Sequence, residues 1–314
     1  MRPIPIETHA AAMPADVLGN QLHGGNAMSR HDAPSASDTR SDPHLGTVVH
    51  IVGARQKRPN RPSTGCPFCV GGLEAPEPYD VRSFANRWPA LDGDRCEVVL
   101  YTSDHDATLP SLGSDGVRSV VDLWAQRTEA LGSRDDVDYV LVFENRGLDV
   151  GATIAHPHGQ IYAYDHVPSR QRRRLDGGWR PDPDPGDRLV TAAGGWSAWV
   201  PYAPTYPVSI DVAPDHHVAD LPSMSADDRD RLADMLVDVF DRLDRLYDQP
   251  LPYMMWLNQR PTTADADAWF NIEIVSPWRS AGVQRFIAAA EVASEEYFNP
   301  VVPEELAERL RALR

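Results

Sequence analysis

A weak internal repeat does most to limit what this 314-residue chain can fold into. The stretch His105-Asp-Ala-Thr-Leu109-Pro110-Ser111-Leu112 is echoed by His217-Val-Ala-Asp-Leu221-Pro222-Ser223-Met224. Each copy leads into a helical pattern, then a strand, then a second strand well downstream. Two copies of one α+β unit are implied. In the first copy the downstream strand carries His156 and His158; in the second it carries Asn271 and Glu273. The chemistry therefore belongs to the first copy.

Local patterns fill in this frame. Runs rich in β-branched and aromatic residues predict strands at 47–52, 96–102, 138–144, 158–164, 197–202, 207–212, 252–257 and 270–275. A 3.6-residue apolar period predicts helices at 114–132, 225–247, 280–292 and 303–313. Residues 168–187, from Ser-Arg-Gln-Arg-Arg-Arg to Asp-Pro-Asp-Pro-Gly-Asp, read as a surface excursion. Residues 1–39 are rich in Ala, Ser, Pro, His and Asp and lack periodicity, so they read as a mobile tail, with Met13 and Met28 as alternative starts. The expected organisation is that tail, a first half at 40–187 and a second half at 188–314. The expected class is α+β with a mostly antiparallel sheet and flanking helices.

Charge and composition exclude several roles. A formal net charge of −16 argues against a general nucleic-acid binder, because no basic field collects phosphates. No apolar run is long enough to span a membrane, and the first residues lack the pattern of a signal peptide. Three cysteines, Cys66, Cys69 and Cys96, fit a reducing compartment, hence the cytoplasm, better than a disulfide framework.

Three clusters carry chemistry. His156 and His158 are two apart, so on a strand they share a face, and Pro157 between them stiffens the pair. Read alone, they could be ordinary surface or core histidines. The approach to them is a polar loop punctuated by glycine, Phe143-Glu144-Asn145-Arg146-Gly147 and then Gly151-Ala152-Thr153, as phosphate sites often are. Cys66-Pro-Phe-Cys69 can place two sulfurs on one tetrahedral metal, though a redox pair or a chance spacing gives the same pattern. If a metal binds, His105 and His156 are the natural remaining ligands, and the closed site is structural. Arg55-Gln-Lys57-Arg58-Pro59 is either a solvated basic turn or a clamp on phosphate oxygens.

Taken together, these residues resemble the galactose-1-phosphate uridylyltransferase family of the histidine-triad superfamily. Phe143-Glu-Asn145-Arg-Gly147 through Gly151, followed by His156-Pro-His158-Gly159-Gln160-Ile161-Tyr162-Ala163, is similar to its active-site signature. Arg40-x-Asp42-Pro43, Arg55-x-x-Arg58-Pro59, Cys66-Pro-Phe-Cys69, Phe84-Ala-Asn86-Arg-Trp-Pro89, Asp104-His105 and Asn299-Pro300-x-x-Pro303-Glu304 extend the likeness from residue 40 to the C-terminus.

The resemblance implies a ping-pong nucleotidyl transfer between a nucleotide sugar and a sugar 1-phosphate, with His158 as covalent nucleophile. It implies that Gln160 donates to a phosphate oxygen, that Asn145 and Thr153 contact the phosphates, and that Arg55, Arg58 and Asn86 hold the nucleotide. Cys66, Cys69, His105 and His156 would bind one structural zinc per chain. A homodimer is also implied. A neutral imidazole suits the nucleophile, since its usual pKa of about 6.5 leaves it largely uncharged at neutral pH.

The second half departs from the family pattern. Where a second metal is often held, this chain has Arg174, Asn258, Asn271 and Glu273, which is no transition-metal cage, so that site is expected to be absent. In the hexose-contacting stretch Arg285 stands for a usual Lys, Ala290 for Tyr and Tyr297 for Gln, while Glu291 is kept; Ala155 stands for a usual Pro. UMP transfer between glucose and galactose 1-phosphates is the default reading. The alternatives are a different or modified sugar, a phosphorylase of ADP-sugars or dinucleoside polyphosphates, a non-catalytic nucleotide binder, and a zinc-stabilised interaction domain.

Overall fold

The computed structural model describes residues 38–57, 65–263 and 267–313. The expected tail lies outside these residues except for its last two, which open the first strand, and Arg58 also lies outside. The strands are β1 (Asp38–Ser41), β2 (Val48–Ile51), β3 (Arg82–Ala85), β4 (Cys96–Leu100), β5 (Tyr139–Arg146), β6 (His158–Tyr164), β7 (Leu189–Ala193), β8 (Trp196–Trp199), β9 (Val208–Pro214), β10 (Tyr253–Asn258), β11 (Asn271–Ser276), β12 (Trp278–Ser280) and β13 (Val283–Gln284). The α-helices are α1 (Gly113–Gly132), α2 (Ser169–Asp176), α3 (Ala226–Arg245), α4 (Ala289–Ser294) and α5 (Pro303–Ala312).

Nine strands form one antiparallel sheet in the order β3-β4-β6-β5-β10-β11-β9-β8-β7. The repeat is visible in it. Helices α1 and α3 begin at Gly113 and Ala226, and β6 and β11 begin at His158 and Asn271, both pairs at an interval of 113 residues. The same interval relates the cross-strand pairs Phe143–Gln160 and Trp256–Glu273. The halves meet where β5 pairs with β10, Tyr253 opposite Arg146 and Trp256 opposite Phe143. By this register His158 answers to Asn271 and Gln160 to Glu273, a shift from the pairing of His156 and His158 with those two residues.

Period-2 alternation sorts the strand residues onto two faces. One face carries Val140, Val142, Ile161, Ile210, Val212, Met255, Ile272 and Ile274, all buried in the main core. Helices α1 and α3 cover it with Val117, Val121 and Trp124 from the first and Leu232, Leu236, Val239 and Leu243 from the second, at helical spacing. Ser225 caps α3 by accepting from the Asp228 backbone N–H, and the Asp228 carboxylate accepts from Ser225 in return. The other face of the sheet holds two clefts.

Three expectations are corrected. Residues 280–292 do not form one helix: Arg279 and Ser280 belong to the hairpin β12–β13, which turns at Gly282 with φ of 67°, and only Ala289–Ser294 is helical. The excursion at 168–187 contains α2, whose Gln171 is buried. Strands β3 and β7 lie outside the expected ones; each is a short strand at the margin of the large sheet, where alternation has few residues to show itself. Among the described residues no helix is long and apolar enough to cross a membrane.

Candidate active site

Strand β6 starts at His158, just after Pro157, which has no N–H to give to a ladder. It lies between β4 and β5 and is paired on both sides. Alternation sends His158, Gln160 and Tyr162 to the open face and Gly159 and Ile161 toward the helices. On the open face lies a cleft of about 950 Å³, and Arg55, Asn86, Asn145, Thr153, His158 and Gln160 all line it. Cys66 and Cys69 reach the same cleft from the loop before β3. The loop between β5 and β6 turns through Gly147 and Gly151, with φ of 93° and 83°, values that suit glycine.

Two hydrogen-bond chains fix His158 and Gln160. His158 Nδ1 lies 2.7 Å from the carbonyl oxygen of His156. A carbonyl only accepts, so Nδ1 carries the proton, and in the neutral ring Nε2 keeps its lone pair. The Phe68 ring lies 5.0 Å from that imidazole, centroid to centroid. The Trp88 backbone N–H donates to Asn86 Oδ1 at 2.9 Å, and Asn86 Nδ2 donates to Gln160 Oε1 at 3.1 Å. The backbone donor sets the orientation of both amides, which leaves the Gln160 NH₂ as the group with protons to offer. Asn86 thus acts on Gln160 as well as lining the cleft.

Cys66, Cys69, His105 and His156 converge, with one ligand atom from each all within 4.8 Å of one another. Cys69 Sγ lies 3.4 Å from His105 Nδ1 and 3.7 Å from His156 Nδ1. A tetrahedral ion with ordinary Zn–S and Zn–N bonds needs S···N edges of about 3.6 Å, so the donor set fits. His156 Nε2 donates to the Thr102 carbonyl at 2.8 Å and approaches Tyr79 Oη at 2.9 Å, which turns Nδ1 toward the cluster. Burial holds His156 below the usual imidazole pKa and so favours its neutral, ligating form. Burial and the neighbouring Cys66 thiol push Cys69 up; a bound dication would oppose this by drawing off the thiol proton. These four residues could hold a metal ion. Tyr79 and Phe68 were not picked out from sequence. Phe68 sits inside the cysteine motif itself, where its neighbours drew the attention.

Arg285 and Glu291 lie outside this cleft. They form a buried ion pair, Arg285 also donating to the carbonyls of Thr205 (2.9 Å) and Phe298 (3.0 Å). In the second half, Arg174, Asn258, Asn271 and Glu273 do converge. Arg174 meets Glu273 Oε1 at 3.0 Å and Asn271 Oδ1 at 3.0 Å, and Asn258 donates to Glu273 at 2.9 Å. Arg170 meets the same carboxylate, so two guanidiniums bring positive charge there. Nearby Asp211 is pushed up to about 7 by burial and by the Glu273 charge.

Comparison with known proteins places this geometry. The family description "Galactose-1-phosphate uridyl transferase, N-terminal domain" matches residues 84–168, and its C-terminal domain matches 156–314. A galactose-1-phosphate uridylyltransferase of Thermotoga maritima is 35% identical over 87% of this chain and 98% of its own length. Another, of Streptomyces lividans, is 33% identical over 88% of this chain and 87% of its own. A solved uridylyltransferase structure superposes with a TM-score of 0.81 at 26% identity, covering 88% of this chain and 98% of that one. With one duplicated sheet, a histidine-bearing cleft and relatives matched along nearly their whole length, the chain belongs to the galactose-1-phosphate uridylyltransferase family.

Proposed function

We propose that the protein moves UMP between hexose 1-phosphates, taking UDP-glucose and galactose 1-phosphate to UDP-galactose and glucose 1-phosphate through a uridylyl-His158 intermediate. The observation that carries this is the His158 tautomer: the His156 carbonyl holds the Nδ1 proton, so Nε2 is the nucleophilic nitrogen, beside a Gln160 already turned by Asn86. Nε2 attacks the α-phosphorus. The bond from that phosphorus to the bridging oxygen breaks, and glucose 1-phosphate leaves with the electron pair. A phosphate oxygen of galactose 1-phosphate then attacks the same phosphorus and restores neutral His158. Gln160, Asn145 and Thr153 donate to phosphate oxygens as charge shifts, a contribution of roughly 10²–10³ in rate for one well-aimed donor. Arg55 and Arg58 hold the nucleotide.

The metal is zinc, one per chain and structural: with four protein ligands it has no open position, and it ties the Cys66–Cys69 loop to the segment carrying the nucleophile. Free cysteines at 66, 69 and 96 suit the reducing cytoplasm. Arg285 and Glu291 sit on a stretch with exposed Phe286, Val292 and Phe298. Apolar surface of this kind fits a homodimer, in which this stretch can reach the sugar in the other copy's cleft.

The test is a donor panel on the purified protein, read by mass spectrometry of the labelled histidine and of the released sugar phosphate. UDP-glucose should give one burst of glucose 1-phosphate, and turnover only when a second sugar phosphate is added. His158→Gly should abolish both burst and adduct while leaving the fold intact. An acid-labile nucleotidyl adduct on that variant would overturn the assignment.

A further inference from the structure

Directly behind the nucleophile, on the helix-covered side of the sheet, three polar side chains interrupt the apolar core. They are Glu144 of β5 (4% exposed), Tyr101 just beyond β4 (2%) and Tyr253 of β10 (1%). Tyr253 Oη donates to Glu144 Oε1 at 2.7 Å. Glu144 Oε2 and Tyr101 Oη are neighbours, both fully buried, and neither has a hydrogen-bond partner of ordinary geometry. Buried polar groups are costly in a core and are kept for a reason.

Tyr101 is fastened to the catalytic segment twice. Its backbone N–H donates to the Pro157 carbonyl at 3.3 Å. Its hydroxyl lies so close to Gly159 that a Cβ at that position would overlap it. Gly159 is the residue between His158 and Gln160, so whatever moves the Tyr101 hydroxyl moves both. Burial raises the Glu144 carboxyl to about 7, against the pull of the Tyr253 and Tyr101 hydroxyls and the Arg146 charge; Asp244 on α3 adds to the rise. Arg146 and Asp244 are paired with each other at 2.7 Å, and Trp124 of α1 packs edge-on against Tyr101.

We propose that Glu144 and Tyr101 are positioning residues: the protonated Glu144 donates from Oε2 to the Tyr101 hydroxyl, which supports Gly159 and so sets the placing of His158 and Gln160. When the proton leaves Glu144, the bond reverses and the carboxylate draws the Tyr101 hydroxyl toward itself, off Gly159. The strand then loses its support and the two reactive side chains shift. This rests on His158 being the nucleophile, but the placing of His158 can be read without any reaction.

The experiment compares wild type, Glu144→Gln and Tyr101→Phe across the neutral range. Two quantities are measured: the single-turnover rate of His158 uridylylation, and the ¹⁵N resonances of the His158 imidazole. In wild type the rate should fall roughly tenfold as Glu144 ionises, as a small misplacement of reacting groups would produce. The imidazole resonances should show an inflection at the same pH. In Glu144→Gln the alkaline fall and the inflection should both vanish. Tyr101→Phe should also lose the inflection, since the link to Gly159 is gone. A purely structural role would lower the melting temperature and leave the profile and the inflection in place, and that outcome overturns the proposal. If no nucleotide sugar labels His158 yet the inflection disappears in Glu144→Gln, the positioning role stands and the nucleophile reading fails. If labelling proceeds and the inflection survives, the reverse holds.

Discussion

Substituting Gly159 by alanine tests the packing behind the proposed nucleophile. The new methyl would overlap the Tyr101 hydroxyl and lie 3.1 Å from the Phe143 carbonyl oxygen. Neither neighbour can yield far enough to admit a methyl without strain. Tyr101 is buried against Trp124, and Phe143 is held in the ladder opposite Gln160. Overpacking of this kind costs about 1–3 kcal/mol. The strain falls between His158 and Gln160, and a displacement near 1 Å there can cost on the order of 10²-fold in rate. Gly159→Ala should therefore lower stability by about 2 kcal/mol in urea unfolding and slow uridylylation about 100-fold. Tyr101→Phe deletes the atom the methyl strikes. The double variant should be more stable than the sum of the single effects by at least about 1 kcal/mol, as contacting residues in a mutant cycle often are. A Gly159→Ala protein of wild-type stability, or strict additivity with Tyr101→Phe, would refute the reasoning.

Two further outcomes follow from the same geometry. The proposed metal, about one ion per chain by elemental analysis, should be lost in Cys66→Ser, and the melting temperature should fall with it; full metal retention would sink the four-ligand assignment. Glu144 should make stability fall with rising pH. Its folded pKa, about 7, exceeds the usual value of 4.5. Between those values the unfolded chain has released the proton that the folded chain still binds, so stability drops across that window and levels off above it. Relative to Glu144→Gln, wild type should lose about 3 kcal/mol from acid to mildly alkaline pH; parallel curves for the two proteins would contradict the buried-acid account.

Much of the fold was legible because its signals are local. The stripe at Val117, Val120, Val121 and Trp124 marked α1 to within a residue, and the helical pattern from 225 placed the start of α3. The candidate site was legible for the same reason. The cysteine pair lies in one short motif, and the cluster expected of it with His105 and His156 does assemble. What stayed hidden depends on register between distant strands. Nothing near Glu144 in sequence announces Tyr101 and Tyr253, which reach it only because β4, β6, β5 and β10 are neighbours. The run of arginines at 170–174 misled for a related reason. Read alone it looks solvated, yet Arg170 and Arg174, one helical turn apart, both meet Glu273 across the fold. Arg285 and Glu291 show the opposite case: their chemistry suits a phosphate sugar, but within one chain they satisfy each other.

The seam between β5 and β10 has a consequence for how this enzyme can be divided. Both strands are interior, and α1 and α3 pack against each other across the same junction. A protein cleaved in the connection before β7 would yield two fragments, each ending in a bare strand edge and half a helix layer, prone to self-association when alone. Together they would be complementary, and mixing them should rebuild the cleft. The second half is in this sense the template on which the half bearing His158 folds, so it must be kept even though the proposed nucleophile lies outside it.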